Sequence, residues 1–227
     1  MSEKPKYTWS YSSLDMFKQC PQKYYRMRVL KDIKEPESEA MRYGTDVHKA
    51  AEDFIKDGTP IPEKYAFLRP SVEALKARPG THLCEYKMGL TRDLEPCEFF
   101  SKDVWWRGIA DLITLQEDRA FVVDYKTGKS SKYADTKQLE LMALAIFKHF
   151  PQVKKVKSGL LFVIAEDFVK ADFTADQQGM HWAKWLTDTA RLEQSITLNV
   201  WNPRPNFSCR GWCAVKDCVH NGKSEYR

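Results

Sequence analysis

The chain switches from helical to β-rich patterns after about eighty residues, and this switch is the feature that most constrains its fold. Beyond it, apolar runs of strand length alternate with two longer amphipathic patterns of helical period. The predicted strands are 82–90, 105–115, 120–125, 156–165 and 168–173, and the predicted helices are 136–150 and 177–194. Strands interleaved with helices in this order predict an α/β fold, with a mixed central β-sheet flanked by helices.

The helical part that precedes the strands has its own start and stop signals. Ser12 and Ser13 can cap a short helix near the start of the chain. A strong helical pattern covers 45–57, and Gly58 follows it as the expected stop. The polar segment 32–42 is predicted to be a loop or a frayed helix start.

Length and composition indicate one globular domain. A chain of 227 residues suffices for one sizeable core with a small appendage. We therefore predict a single domain over 1–227, with a helical part at 1–80, a catalytic α/β core at 81–198 and a Cys-rich closing segment at 199–227. No run approaches the roughly 18 apolar residues of a membrane span, and no signal peptide is evident. We expect a soluble cytoplasmic protein with no membrane partner and with reduced cysteines, unless a metal holds them.

Positive charge is concentrated at the two ends of the chain. Residues 1–34 carry eight Lys and Arg against three acids, and residues 201–227 carry five against two. Basic ends around a nearly neutral body indicate a phosphate-facing surface. The alternative is ordinary solvated charge at the termini.

Two neighbouring strand patterns end in charged residues that suit phosphodiester chemistry. In the first, Asp111 ends a run of small residues; Asp124 and Lys126 close the second, where alternation puts them on one face. Two carboxylates can hold Mg²⁺ or Mn²⁺ beside a phosphate, while a lysine orients the water or stabilises developing charge. The carbonyl oxygen of Tyr125 is a further candidate ligand. The alternative, a chance D-x-K triplet on the surface, is opposed by the apolar run 121–123 before it.

These motifs, with others, resemble the RecB-type branch of the PD-(D/E)XK nuclease superfamily, which has a restriction-endonuclease-like core. The resemblance covers most of the chain. Its pieces are S-S-L-x-x-F-x-x-C-P-x-x-Y at 12–24, G-x-x-x-H at 44–48, G-I-A-D at 108–111, D-Y-K-T-G at 124–128 and the glutamine at 138. Each piece is weak alone, but the five occur in the order that the family has.

The resemblance implies roles for individual residues. Asp111 and Asp124 match the metal-binding acids, Lys126 matches the catalytic lysine, and His48 matches a histidine that adds a metal ligand. Glu85 lies where relatives carry a strand acid near the site, although an exposed strand glutamate is an equally natural interpretation.

Gln138 matches the start of the family's Q-x-x-x-Y motif, which contacts DNA or positions the catalytic groups. The sequence departs from that motif at Met142, where the family has tyrosine. Because Met142 has no hydroxyl group, the departure puts a contact with the substrate at this position in doubt more than it does the hydrolysis reaction. Without the family, Gln138 would be a helix surface residue.

Three cysteines crowd into ten residues near the end of the chain as Cys209-x3-Cys213-x4-Cys218, and such spacing of thiols indicates a metal site. A fourth ligand is needed, and Cys20 is the candidate. Some relatives hold a [4Fe-4S] cluster with one cysteine before the nuclease core and three after it, so the resemblance implies a cluster that joins the N- and C-terminal segments. The spacing differs from theirs, and Zn²⁺ held by four cysteines, or by three with His220, stays open.

Candidate DNA contacts follow the catalytic strand. Lys129 and Lys132 could hold the phosphate backbone, and Tyr133 could stack on bases of a frayed strand. Trp105 and Trp106 could also stack, although a strand tryptophan usually belongs to the core, and we favour the core for one of them. Basic side chains on the first helices add further candidates, namely Lys18, Lys23, Arg26, Arg28, Lys31 and Lys34.

The resemblance implies a metal-dependent DNA exonuclease that resects DNA ends in recombination or repair. The small size is similar to that of phage or mobile-element nucleases, which pass a single strand to an annealing protein in the host cytoplasm. Three alternatives stay open: a flap or other structure-specific endonuclease with the same site, a non-catalytic DNA-binding subunit, and a zinc-stabilised interaction module.

Overall fold

A mixed sheet of six strands is the main element of the fold. A computed structural model describes residues 7–35 and 37–222. The strands are β1 (Thr81–Leu90), β2 (Pro96–Cys97), β3 (Trp106–Gln116), β4 (Arg119–Lys126), β5 (Lys155–Phe162) and β6 (Asp167–Thr174). They lie in the order β2-β1-β3-β4-β5-β6, with β4 and β5 parallel and the other neighbours antiparallel. The predicted α/β class with a mixed sheet is confirmed.

Six α-helices and several single turns of other helix types accompany the sheet in the described part of the chain. The α-helices are α1 (Tyr11–Gln19), α2 (Pro21–Tyr24), α3 (Glu39–Asp57), α4 (Arg69–Lys76), α5 (Lys137–His149) and α6 (Gln178–Leu198). A π-helix at Tyr25–Leu30 continues α2, and 3-10 helices occupy Glu63–Leu68, Ala175–Gln177 and Phe207–Arg210. Within residues 7–35 and 37–222, none of the helices has both the length and the apolarity needed to cross a membrane.

The chain divides into two compact units. The terminal unit contains the described residues of Met1–Glu37 and Ala183–Arg227, and the sheet unit is Ser38–Trp182. The predicted single domain with parts at 1–80, 81–198 and 199–227 stays a prediction. The two units have different bounds, because the first helices group with the C-terminal segment while α3 and α4 pack on the sheet.

An aromatic cluster forms the core of the terminal unit. The indole of Trp201 stacks on Tyr25 with ring centroids 5.0 Å apart and on Tyr24 at 5.9 Å, and it meets the edge of Phe17 at 6.4 Å. Such aromatic pairs contribute about 0.5–1.5 kcal/mol each beyond the area they bury. The cluster therefore attaches the C-terminal segment to the first two helices.

The sheet unit buries apolar residues on both faces of its sheet. On one face, the α3 stripe of Val47, Ala51 and Ile55 packs in the cluster that contains Leu112 and Val123. On the other face, α5 is buried along nearly its whole length, at Leu139 and at every position in 141–147. Burying one such Val, Leu or Ile side chain contributes about 1.5–3 kcal/mol. The middle of β3, which carries Asp111, and the end of β4, which carries Asp124 and Lys126, are thus held between two packed layers.

Two helix starts differ from the predictions. Helix α3 begins at Glu39, six residues before the predicted start, because the Ser38 hydroxyl caps it by accepting a hydrogen bond from the Met41 N–H at 3.2 Å. The same helix ends at Gly58 with φ 73, as predicted. The cap of α1 is Ser10, whose hydroxyl accepts from the Ser13 N–H at 3.3 Å.

Candidate active site

A three-ligand group lies where α3 crosses β1 and β3. His48 from α3, Glu85 from β1 and Asp111 from β3 each place one ligand atom within 4.8 Å of the other two. His48 Nδ1 and Asp111 Oδ2 are 3.3 Å apart. All three side chains are half-buried, so they are partly shielded and still reachable from solvent. One imidazole and two carboxylates in this arrangement fit a divalent cation of the Mg²⁺ or Mn²⁺ kind.

The backbone at Glu85 is in a conformation that non-glycine residues seldom adopt. Its φ is 47, and the β1–β3 ladder pairs Cys84 with Leu112 and Tyr86 with Ala110 but has no pair between them. A left-handed residue of this kind costs on the order of 1–2 kcal/mol, and such residues cluster at functional sites. The interruption falls at the point where Glu85 and Asp111 face each other.

Asp111 is held by the backbone of the neighbouring strand. The β3–β4 ladder ends at the pair of Leu112 and Val123, and beyond it the Tyr125 N–H donates to Asp111 Oδ2 at 2.8 Å. The ring of Tyr125 is buried and meets the edge of His48 at 5.7 Å. The Asp111 carboxylate thus takes the place of a backbone hydrogen bond between β3 and β4. This fixes the direction in which the side chain of Asp111 points.

Asp124 faces Lys126 and Gln138 and does not join the three-ligand group. The Lys126 ammonium lies 2.6 Å from Asp124 Oδ2, and Gln138 Nε2 donates to Asp124 Oδ1 at 2.7 Å. Gln138 also accepts from Lys126 Nζ through its own Oε1 at 3.3 Å. The side-chain amide of Gln138 on α5 therefore bridges the Asp124 carboxylate and the Lys126 ammonium and holds them together.

Burial and the nearby charge of Asp111 raise the pKa values of Asp124 and Glu85. Burial, reinforced by the charge of Asp111, raises the pKa of Asp124 to about 6, although Lys126 opposes the shift. Burial and then the same charge also raise the pKa of Glu85. For His48, burial lowers the pKa, but the hydrogen bond and charge of Asp111 outweigh it and leave the pKa above its usual value. The site has an excess of negative charge that a bound cation would neutralise.

An open cleft of about 640 Å³ leads to this group. One wall is the first half of α3, including Met41 and Thr45, and the opposite wall contains Lys126 and Thr127. The position of Met41 on this wall was not predicted, because 32–42 was predicted to be a loop or a frayed helix start. The available signal was Ser38, a capping residue three positions before it.

The predicted DNA contacts after β4 are exposed. Lys129, Lys132 and Tyr133 lie on the connection between β4 and α5, and 87% of Tyr133 is accessible to solvent. The Lys132 ammonium lies 5.4 Å from the centroid of the Tyr133 ring. Their role in DNA binding stays a prediction.

Other predicted contacts are corrected by the structure. Trp105 and Trp106 are both buried, at 4% and 0% exposure, so neither presents a face to a base. In the terminal unit, Lys18, Lys23 and Arg26 each pair with a carboxylate, at 2.5, 2.7 and 2.7 Å respectively. The partners are Asp188, Glu35 and Asp32, so part of the positive charge of the first helices is neutralised within the unit.

Met142 fills the place of the family's tyrosine and is buried at 5% exposure. A Cβ added to Gly108 would come within 2.9 Å of the Met142 methyl group and within 2.8 Å of the Trp106 ring. Gly108 thus lacks a side chain because α5 and an indole occupy that space. Met142 contributes to packing and does not extend into the cleft.

The four predicted cysteine ligands meet in the terminal unit. Cys20, Cys209, Cys213 and Cys218 line one small cavity, and His220 lines it too. Backbone N–H groups donate to two of the sulfurs, at 3.5 Å from Arg204 to Cys20 and at 3.4 Å from Asn206 to Cys209. None of the cysteines is in a disulfide.

Comparison with known proteins gives the family. A search of curated proteins finds no match to the sequence. Among solved structures, SSO0001 is 13% identical with a TM-score of 0.46 and covers 97% of this chain and 89% of its own. An exonuclease candidate from Eubacterium rectale is 11% identical with a TM-score of 0.49 and covers 86% and 83%. Both scores are too low to carry an argument. The sequence pattern of the PD-(D/E)XK nuclease superfamily, whose members use divalent metals, matches residues 8–218, and the chain therefore belongs to that superfamily.

Proposed function

We propose that the protein is a Mg²⁺- or Mn²⁺-dependent DNA exonuclease that resects DNA ends in recombination or repair. The observation that carries the proposal is the three-ligand group of His48, Glu85 and Asp111 beside the bridged pair of Asp124 and Lys126. Family membership supports a nuclease with DNA as substrate. The exonuclease activity, the recombination context and the annealing partner rest on the RecB-type motifs.

The residues at the site fit a divalent cation. Two carboxylates and an imidazole supply ligands that Mn²⁺ accepts readily, and the carboxylates supply the oxygens that Mg²⁺ prefers. Asp124 Oδ2 is a further candidate oxygen: it is buried, and the Lys126 ammonium lies 2.6 Å from it. His48 and Lys126 are the basic side chains next to Asp111 and Asp124.

A bound Mg²⁺ or Mn²⁺ would polarise the scissile phosphate and lower the pKa of the attacking water. The chain's own residues would hold and orient the reacting groups. Asp111 keeps one direction because the Tyr125 N–H holds Oδ2. Lys126, released from Asp124 by a cation, would direct its ammonium at the phosphate oxygens, where charge develops. Gln138 would act as a positioning residue, since it touches both Asp124 and Lys126.

A [4Fe-4S] cluster on Cys20, Cys209, Cys213 and Cys218 is part of this proposal. Four thiols around one cavity, with N–H groups directed at two sulfurs, support a metal site in the terminal unit. In the described part of the chain, only His48, Glu85 and Asp111 form a three-ligand group within 4.8 Å. The choice of the cluster over Zn²⁺ rests on the resemblance to relatives with one cysteine before the nuclease core and three after it. The cluster would act as a structural crosslink.

The activity is tested on end-labelled linear duplex, linear single strand and closed circular DNA with Mg²⁺ or Mn²⁺. We expect the linear substrates to be consumed and the circle to survive. Lys126→Ala and Asp124→Ala should be inactive, whereas the exposed Lys157→Ala serves as a matched control and should keep wild-type activity. Cleavage of the circle would instead indicate an endonuclease. DNA binding without any cleavage would refute the enzyme and leave a binding subunit.

The cluster is tested by anaerobic purification, the visible absorption spectrum, and iron and zinc analysis. A brown protein with about four iron atoms per chain is expected from the cluster stoichiometry. A colourless protein with one zinc ion would replace the cluster with the zinc alternative, for which His220 is an additional ligand candidate.

A further inference from the structure

A pair of phenylalanines, the half-buried Phe99 and the exposed Phe100, lies in the loop between β2 and β3. Phe99 and Phe100 meet edge to face with ring centroids 4.9 Å apart, and 76% of Phe100 is accessible to solvent. Large aromatic side chains gain free energy from burial, so a ring this exposed beside a second one is a candidate contact surface.

Two cations lie against these rings. The Arg107 guanidinium is 5.2 Å from the Phe99 centroid, and the Lys87 ammonium is 5.9 Å from Phe99 and 5.8 Å from Phe100. Within the part of the chain that the structure describes, neither Lys87 nor Arg107 has an acidic partner at ion-pair distance. Their charge is therefore available to an external anion.

Strand geometry puts these cations on the same face as the three-ligand group. Arg107, Ile109 and Asp111 alternate along β3 and share one face, while Trp106 is buried on the other. The β1–β3 register pairs Lys87 with Ile109, which places Lys87 on that shared face as well. Arg107 and Asp111 are four residues apart, or about 13 Å along the strand. An extended strand of a few nucleotides spans such a distance.

We propose that Phe99 and Phe100, with Lys87 and Arg107, form a binding subsite for single-stranded DNA on the way to the His48–Glu85–Asp111 group. The rings stack on unpaired bases, and the two cations hold the phosphates between those bases. Duplex DNA is not the ligand, because its bases are already stacked and offer no face to a ring. The subsite rests on the proposed function, and it determines which form of the DNA end approaches the site.

The test compares two oligonucleotides of equal length and charge, a twelve-nucleotide oligothymidylate and its fully abasic analogue. Binding to the full-length protein is measured by fluorescence anisotropy without added Mg²⁺ or Mn²⁺. One stacked base contributes enough affinity for Phe100→Ala to weaken oligothymidylate binding about tenfold and abasic binding less than about twofold. Phe100→Trp should keep the affinity and Phe100→Leu should lose it, which separates stacking from apolar bulk. Lys87→Gln and Arg107→Gln should weaken binding of both oligonucleotides and reduce the salt dependence by about one ion each.

Hydrolysis of bis(p-nitrophenyl) phosphate, which has no bases, provides the control for an intact site. The exposed Lys157→Ala variant, which lies outside the subsite, should hydrolyse it at the wild-type rate. Equal binding of oligothymidylate by Phe100→Ala and wild type would overturn the subsite, and so would an equal loss on both oligonucleotides. If the protein cleaves nothing but the difference between the oligonucleotides persists, the subsite stands and the nuclease proposal fails. If the protein cleaves DNA but Phe100→Ala affects the two oligonucleotides equally or not at all, the nuclease proposal stands and the subsite fails.

Discussion

Replacing Asp124 with asparagine should stabilise the metal-free protein at neutral pH. The carboxylate is almost fully buried, and its pKa is raised from 3.8 to about 6, chiefly by burial and secondly by the charge of Asp111. Above pH 6, the folded protein must keep this charge in an unfavourable environment, whereas the unfolded chain exposes it to water. Asparagine keeps an oxygen that accepts from Gln138 Nε2 and carries no charge.

The size and sign of the effect follow from that pKa difference. About 1.4 kcal/mol per pKa unit gives an upper bound of about 3 kcal/mol for the destabilisation at pH 7.5. A raised carboxyl pKa means that the folded state binds the proton first as pH falls. The destabilisation that the buried Asp124 charge causes is therefore complete above about pH 6, and it disappears as the pH approaches 3.8. The advantage of Asp124→Asn over wild type should follow the same course.

Thermal unfolding with a chelator present, at pH 7.5 and at pH 4.5, measures this directly. For a chain of this size, each kcal/mol shifts the melting temperature by about 2–4 °C, so we expect a rise of several degrees at pH 7.5 and much less at pH 4.5. Asp93→Asn changes an exposed aspartate and should shift neither temperature. A variant less stable than wild type at pH 7.5 would refute the reasoning, since it would mean that the pair with Lys126 outweighs the burial of the charge.

Three further predictions concern the groups around the site and the cysteine cavity. Gln138→Leu should lower kcat about 10–100-fold with little change in KM for DNA, as expected of a residue that orients catalytic groups, and an unchanged kcat in steady-state assays would exclude that role. Glu85→Gln should raise the Mg²⁺ concentration needed for half-maximal activity about 10–100-fold, whereas an unchanged metal titration would remove Glu85 from the ligand set. Cys218→Ala should abolish the visible absorption of the anaerobic protein and should not abolish hydrolysis of bis(p-nitrophenyl) phosphate; a retained brown colour would exclude Cys218 as a ligand.

The strands and α5 could be predicted closely because their apolar periods are strong. The predicted helix at 136–150 is observed at Lys137–His149, and the predicted strand at 120–125 is observed at Arg119–Lys126. The start of α3 was missed because polar side chains dominate its first turn. The two-residue strand β2 was missed as well, because so short a segment has no period to detect.

For the candidate site, only the list of residues could be predicted from the sequence, and not the way in which they pair. Motif order selected His48, Asp111, Asp124 and Lys126, but it could not decide how they pair. The division between the group of His48, Glu85 and Asp111 and the pair of Asp124 and Lys126 depends on where the β3–β4 ladder ends and on the left-handed backbone at Glu85. Both are consequences of how three strands and α3 pack, and no local pattern encodes them.

The division of the chain into two units has a consequence for biosynthesis. The sheet unit, Ser38–Trp182, is one continuous stretch, and it can begin to fold as soon as it leaves the ribosome. The terminal unit is discontinuous, so Cys20 and the first helices are made early and must wait for the last fifth of the chain, which carries Trp201 and the other three cysteines of the cavity. During that interval, the apolar side chains of α1 and one thiol of the cysteine cavity are without their partners. Until the C-terminal segment is made, Cys20 is therefore exposed to oxidation, and the apolar side chains of α1 are exposed to aggregation.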